Sequence, residues 1–158
     1  MKIGVISDTH DYLNPKVFDI FKGVDLIIHC GDICKPEIII ELETIAYVQA
    51  VSGNMDDYEI KSKYPISSKV DTPAGVLCFT HGHMYDVNFG RTDSITNAFK
   101  HLYPKIIVFG HTHEALCKKE DEIILFNPGS AKASSQSDAS VGLLSIDENK
   151  IKPEIIYL

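Results

Sequence analysis

Six times along this chain an apolar run ends in a short turn that delivers Asp, Asn or His. Ile3-Gly4-Val5-Ile6 leads into Ser7-Asp8-Thr9-His10, Leu26-Ile27-Ile28 into His29-Cys30-Gly31-Asp32, and the run from Ala46 to Val51 into Ser52-Gly53-Asn54. Val76-Leu77-Cys78-Phe79 leads into Thr80-His81-Gly82-His83, Ile106-Ile107-Val108 into Phe109-Gly110-His111-Thr112-His113, and Ile123-Ile124-Leu125-Phe126 into Asn127-Pro128-Gly129-Ser130. Short apolar runs bounded by turn residues read as buried strands. In α/β sheets, ligands bind outside the carboxyl ends of the strands. The pattern therefore gathers Asp8, His10, Asp32, Asn54, His81, His111 and His113 at one edge of the fold. On an extended backbone, residues two apart point the same way, so His111 and His113 are expected to aim two imidazoles into one space.

Between the early runs lie segments of helical period. Asn14 caps a helix with Pro15 at its first position, Val17, Ile20 and Phe21 share its inner face, and Gly23 ends it. Lys35-Pro36 opens a second helix with Ile38, Ile39 and Leu42 inward. Strands are expected at 2–6, 25–28 and 47–51, the first two parallel with a right-handed crossover. Residues 55–65 read as a polar, irregular surface excursion. Pro73-Ala74-Gly75 marks a hairpin between 68–72 and 76–80. Asp93 or Ser94 caps a third helix ending near Tyr103, with Ile95, Ala98, Phe99 and Leu102 as its core stripe. Further strands fall at 105–109, 115–119, 122–126, 141–146 and 151–157. Strands outnumber helices late in the chain, which favours two packed sheets with helices outside over one open parallel sheet. The small, polar stretch 131–140 reads as a loop, and functionally as a lip facing the substrate.

At 158 residues the chain is expected to form one domain. Its net charge of −7 argues against nonspecific nucleic-acid binding. No run approaches the roughly 20 apolar residues of a membrane helix, and no signal peptide is read at the start. Cys30, Cys34, Cys78 and Cys117 form no CxxC pair and read as reduced thiols of a cytoplasmic protein. Cys30 and Cys34 bracket Asp32, but a site of His, Asp and Asn suits hard or borderline metals. Homo-oligomerisation is expected only on general grounds.

Two carboxylates, one amide and four imidazoles suffice for two metal ions if one carboxylate bridges. Two divalent ions, two carboxylates and a bridging hydroxide leave the centre at about +1, suited to an anionic ester. Such a pair holds the attacking hydroxide and clamps phosphoryl oxygens during in-line displacement. Mn²⁺ is the expected ion, with Zn²⁺, Fe²⁺ and Ni²⁺ as alternatives, because ligand type does not choose among them. No Ser-His-Asp triad or P-loop pattern competes.

Ser7-Asp8-Thr9-His10, Cys30-Gly31-Asp32, Gly53-Asn54-Met55-Asp56, Thr80-His81-Gly82-His83, Gly110-His111-Thr112-His113 and Asn127-Pro128-Gly129-Ser130, in this order, resemble the blocks of the calcineurin-like metallophosphoesterases, in particular their small prokaryotic phosphodiesterase branch. The resemblance implies one domain over residues 1–158 with a four-layer α/β/β/α sandwich, two packed mixed sheets with helices outside. It implies that Asp8, His10, Asp32 and His113 hold one metal, and that Asp32, Asn54, His81 and His111 hold the other, Asp32 bridging. Asp32, Asn54 and His81 then act in catalysis through the metals, with His83 as a candidate to face the phosphate and Asp56 to orient a ligand. A small phosphodiester is the implied substrate. Many members carry a histidine after the asparagine that protonates the leaving group. Met55 stands there instead, as in the small prokaryotic branch. The segment after Ser130 also lacks the Pro-Arg that often follows. His29 is expected to pack and His101 to be solvated. The family is also similar to a retromer subunit that keeps this fold as a protein scaffold, so a scaffold is the alternative reading. A protein phosphatase ranks lower, because the chain has little room for the insertions of a peptide groove.

Overall fold

The computed structural model describes residues 1–87, 91–135 and 137–158. β1 (Lys2–Ile6), β2 (Leu26–His29) and β3 (Val48–Ala50) run parallel. β9 (Ser140–Ile146) pairs antiparallel with β1, and β10 (Ile151–Tyr157) with β9. The resulting order is β10-β9-β1-β2-β3. In the second sheet, β5 (Gly75–Thr80), β6 (Ile106–Val108) and β8 (Ile123–Asn127) run parallel. The edges are β4 (Ser67–Thr72) and β7 (Leu116–Glu120), in the order β4-β5-β6-β8-β7.

Strand periodicity assigns each side chain to a layer. Ile3, Val5 and Ile28 of the first sheet meet Leu77, Phe79, Ile106, Val108 and Phe126 of the second in the central core. Ile6 and Ile27 face the other way, toward α1 (Lys16–Ile20) and α2 (Pro36–Glu43), through Val17, Phe21, Ile38, Ile39 and Leu42. Cys78, Ile107 and Leu125 face α4 (Asp93–Phe99) through Ile95 and Phe99. The two packed mixed sheets with helices outside are thus present.

Three local expectations change. Residues 55–65 are not irregular throughout, because α3 (Tyr58–Lys63) forms there. The Asp57 carboxylate accepts the Ile60 amide at 3.0 Å as its cap, and Ile60 buries into the first-sheet core. α4 starts after Thr92, whose hydroxyl donates to Glu120 instead of capping, so neither Asp93 nor Ser94 is the cap residue. A 3₁₀ turn, Lys100–Leu102, closes it. α1 begins at Lys16, after Pro15, although the Asn14 side chain still accepts the Lys16 amide at 3.0 Å. The hairpin at Pro73-Ala74 forms as expected. No helix among the described residues is long and apolar enough to cross a membrane.

Candidate metal centre

Among the described residues, the six parallel strands point their carboxyl ends at one edge. The loop after β1 brings Asp8 and His10, that after β2 brings Asp32, and that after β3 brings Asn54 and Asp56. The loop after β5 brings His81 and His83, and that after β6 brings His111 and His113. Both sheets therefore contribute.

Asp8 is fully buried. Its Oδ2 accepts the Ser7 hydroxyl at 2.6 Å and the His111 amide at 3.1 Å. Its Oδ1 is buried with no hydrogen-bond partner among the described residues. Around that oxygen stand His113 Nε2 at 3.2 Å, His10 Nε2 at 3.9 Å and His81 Nε2 at 3.9 Å. His10 and His113 bring their Nε2 atoms within 3.2 Å of each other. Donors bound about 2.1 Å from one ion stand roughly 3.0–3.4 Å apart, so this spacing fits a shared ion. Asp8, His10 and His113 form one compact donor group, and Asp8, Asp32 and His81 form another.

His81 shows the same demand for positive charge. Its Nδ1 lies 2.8 Å from the Cys30 carbonyl, which only accepts, so Nδ1 carries the proton. Nε2 then presents its lone pair to Asn54 Oδ1 at 3.1 Å and Asp32 Oδ2 at 3.3 Å. Acceptors facing acceptors require a proton or a cation between them, and a backbone carbonyl that fixes the tautomer is the usual support of a ligating histidine. Asp32 Oδ2 also faces His10 Nε2 at 3.9 Å, while its Oδ1 accepts the Met55 amide at 2.8 Å. The donor set fits divalent metal.

Without an ion, the histidines and carboxylates answer one another. Burial raises both carboxyls, but His113 and His81 beside Asp8, and His81 beside Asp32, hold them below the usual range. Burial pushes His81 down, yet Asp32 and Asp8 carry it above its ordinary value. Asp8 likewise raises His113. Burial, and then His81, lower His83 and His111.

His111 and His113 do not share an extended backbone. Both have positive φ, 69° and 60°, as do Asp8, His10 and Asp32 at 54°, 42° and 52°. Left-handed non-glycine residues cluster at functional sites, where the surrounding structure sustains their strain. The histidine pair consequently splits. His113 joins Asp8 and His10, while the His111 ring stands 5.2 Å from that of His81 and lies outside the two compact groups. The His83 ring is 5.3 Å from His81 and 6.3 Å from His111, and its Nδ1 is buried without a partner among the described residues.

Asp56 is buried beneath the site. It accepts the Cys34 and Gly53 amides, each at 2.7 Å, and so ties the Asp32 loop to the Asn54 loop. His29 packs as expected. Its Nε2 meets the Thr9 hydroxyl at 3.1 Å, its Nδ1 accepts the Gly31 amide at 3.2 Å, and burial pushes it down to about 3. His101 is exposed on the 3₁₀ turn.

Sequence reasoning passed over two lysines at the rim. Lys132 places its ammonium 3.0 Å from the His10 carbonyl and 2.8 Å from Asp11 Oδ1. Lys61 donates to the Asn54 carbonyl at 3.0 Å. Each secures a loop that carries a candidate ligand. Nothing in the residue types beside either lysine announces this.

Residues 1–149 match the calcineurin-like phosphoesterase superfamily domain. A probable metallophosphoesterase of Methanothermobacter thermautotrophicus is 38% identical over 162 residues, covering 99% of this chain and 92% of that protein. Among solved structures, an archaeal phosphodiesterase superposes with a TM-score of 0.80 at 27% identity, over 99% of this chain and 100% of that one. Vacuolar protein sorting 29 of Cryptosporidium parvum superposes with a TM-score of 0.87 at 20% identity, over 99% of this chain and 91% of that one, a likeness of fold. Matched along nearly its whole length, with carboxylates and imidazoles converging at the strand ends, the chain belongs to the metal-dependent calcineurin-like phosphoesterase superfamily.

Proposed function

We propose that this chain is a phosphodiesterase working with two divalent ions, one held by Asp8, His10, Asp32 and His113 and the other by Asp32, Asn54, His81 and His111. The observation that carries the reading is the buried Asp8 Oδ1, unpartnered yet ringed by three imidazole nitrogens at 3.2–3.9 Å. A buried acceptor without a donor costs about 1–3 kcal/mol, and a bound cation removes that cost. Bound divalent ions supply Lewis acidity at the phosphoryl oxygens and an activated water for in-line displacement.

The chain's own residues hold and shape the site. Ser7 and the His111 amide fix one Asp8 oxygen so that the other faces inward. The Cys30 carbonyl fixes the His81 tautomer, and Asp56 sets the spacing of the Asp32 and Asn54 loops. His83, whose ring stands 5.3 Å from that of His81, is proposed to face the phosphate. Met55 is 61% exposed and has no proton to donate to a leaving group. Rates should therefore fall steeply as the leaving alcohol becomes more basic. A flat dependence across aryl and alkyl esters would count against this account. The net charge of −7 favours a small substrate over a nucleic-acid duplex. Four free cysteines support a reducing compartment, in which we place the protein as cytoplasmic.

The direct test strips the protein with a chelator, restores Mn²⁺, and measures hydrolysis of bis-p-nitrophenyl phosphate beside His111→Ala. Metal-dependent turnover that the variant loses supports the proposal. Stoichiometric metal binding without turnover of this or a monoester would favour the scaffold reading.

A further inference from the structure

Of the four cysteines, Cys30 and Cys78 pack within the apolar cores and Cys117 is exposed on β7. Cys34 is placed differently. It follows Asp32 by two residues, is half-buried, and holds its backbone at a positive φ of 63°. That left-handed region favours glycine and, among the other residues, asparagine, aspartate and histidine, not cysteine. The buried Asp56 carboxylate sustains it by accepting the Cys34 amide at 2.7 Å. Backbone strain sustained in this way is found at sites with a task.

The direction of the thiol shows the task. Cys34 Sγ stands 3.8 Å from His10 Nδ1 and 3.9 Å from the Met55 carbonyl oxygen. The other ring nitrogen, His10 Nε2, faces His113 Nε2 at 3.2 Å. It also faces Asp8 Oδ1 and Asp32 Oδ2, each at 3.9 Å. Asp8 Oδ1 is the buried oxygen without a hydrogen-bond partner among the described residues, so a cation belongs on this side of the ring. Nε2 then supplies its lone pair there, and Nδ1 carries the proton. The Met55 carbonyl only accepts, so the thiol hydrogen goes to it. A sulfur lone pair is left for the His10 Nδ1–H. A ligating histidine is usually oriented through its second nitrogen by a carboxylate, a carbonyl or water. Here a thiol, which accepts weakly, takes that position. The His10 side chain is 24% exposed, so packing alone does not fix its ring.

We propose that Cys34 is the positioning residue of His10, its sulfur accepting the Nδ1–H so that Nε2 stays turned toward the ion shared with Asp8 and His113. The proposal rests on the ligand roles of the phosphoesterase reading and adds a residue to them. The test is calorimetric titration of chelator-stripped protein with Mn²⁺, in which His10→Ala identifies the binding step that His10 serves. Cys34→Ala should raise the dissociation constant of that same step about tenfold or more and leave the other step unchanged. Cys34→Ser, which keeps a donor and an acceptor on the same carbon, should recover most of the loss. Wild-type affinity in Cys34→Ala, or serine no better than alanine, would overturn the assignment. So would a His10→Ala titration indistinguishable from that of the wild type. An alanine variant that melts lower without metal and weakens both steps alike would place the thiol in the fold and also overturn it. Each of these outcomes leaves wild-type turnover of bis-p-nitrophenyl phosphate standing. Wild-type protein that binds no Mn²⁺ would overturn the phosphoesterase reading and the assignment with it.

Discussion

Among the described residues the Asp56 side chain hydrogen-bonds to backbone amides rather than to candidate ligands, yet two loops depend on it. Its oxygens accept amides from the segments that follow β2 and β3, the segments of Asp32 and Asn54. Outer hydrogen bonds of this kind commonly account for 10- to 100-fold in metal affinity. Asp56→Ala is expected to weaken Mn²⁺ binding by about that factor in a calorimetric titration. Unchanged affinity would show that the two loops hold their spacing unaided. His29 carries a prediction about acid. Burial holds it at about 3 in the folded protein against an ordinary 6.5, so between those values the unfolded chain binds a proton that the folded chain does not. Stability should therefore fall as pH drops below 6.5, approaching about 1.4 kcal/mol per unit. His83 and His111 push in the same direction, and His81 and His113 in the opposite one, so the informative quantity is a difference. Urea midpoints of metal-free His29→Gln between pH 7 and 5 should slope less than those of the wild type.

At the scale of the element, strand ends that turn through left-handed backbone are what bring the site together. They leave little room. A Cβ on Gly110 would collide with Ser7 Oγ and lie 2.7 Å from Asp8 Oδ2, on the side of the carboxylate that is already committed. Gly110→Ala should shift Asp8 and raise the metal dissociation constant about tenfold or more. A wild-type titration would refute the crowding argument. The six strands were legible in the sequence because central parallel strands bury both faces and so appear as unbroken apolar runs, whereas their order within each sheet was not. The identity of the residues at their ends was legible for the same reason, since a polar residue after such a run has one place to be. The path of the backbone through His111 and His113 was not, because a left-handed φ leaves no mark in residue type when the residue is not glycine. α3 was hidden by its exposure. Only Ile60 turns inward, and one apolar residue makes no period. Lys132 was invisible because its partners, the Asp11 carboxylate and the His10 carbonyl, lie more than a hundred residues away in the chain and only the fold brings them near.

At the scale of the whole molecule, the candidate ligands come from two sheets whose facing sides pack through apolar side chains. Asp8, His10, Asp32 and Asn54 follow strands of one sheet, and His81, His111 and His113 follow strands of the other. Metal should hold the sheets in register and stabilise the folded state by mass action. At 100 times its dissociation constant an ion contributes about 2.7 kcal/mol. For a chain of this size, that corresponds to a rise of about 5–10 °C in the melting temperature. Melting followed by circular dichroism with Mn²⁺ and then with chelator should show this difference, and His113→Ala should shrink it. Equal melting temperatures would detach the ions from the fold.

The central position of β1 bears on how the protein comes into being. β1 precedes every candidate ligand in the chain, but its neighbour on one side, β9, follows all of them. The Ser130 and Ala131 contacts that brace the Asp8 loop also come late in the chain. A ribosome releasing this polypeptide thus exposes every candidate ligand well before it releases the strand that seats Asp8. Nascent chains stalled before residue 140 should capture metal poorly although all seven donors have been translated, so loading waits on the release of β9 rather than on the synthesis of the donors.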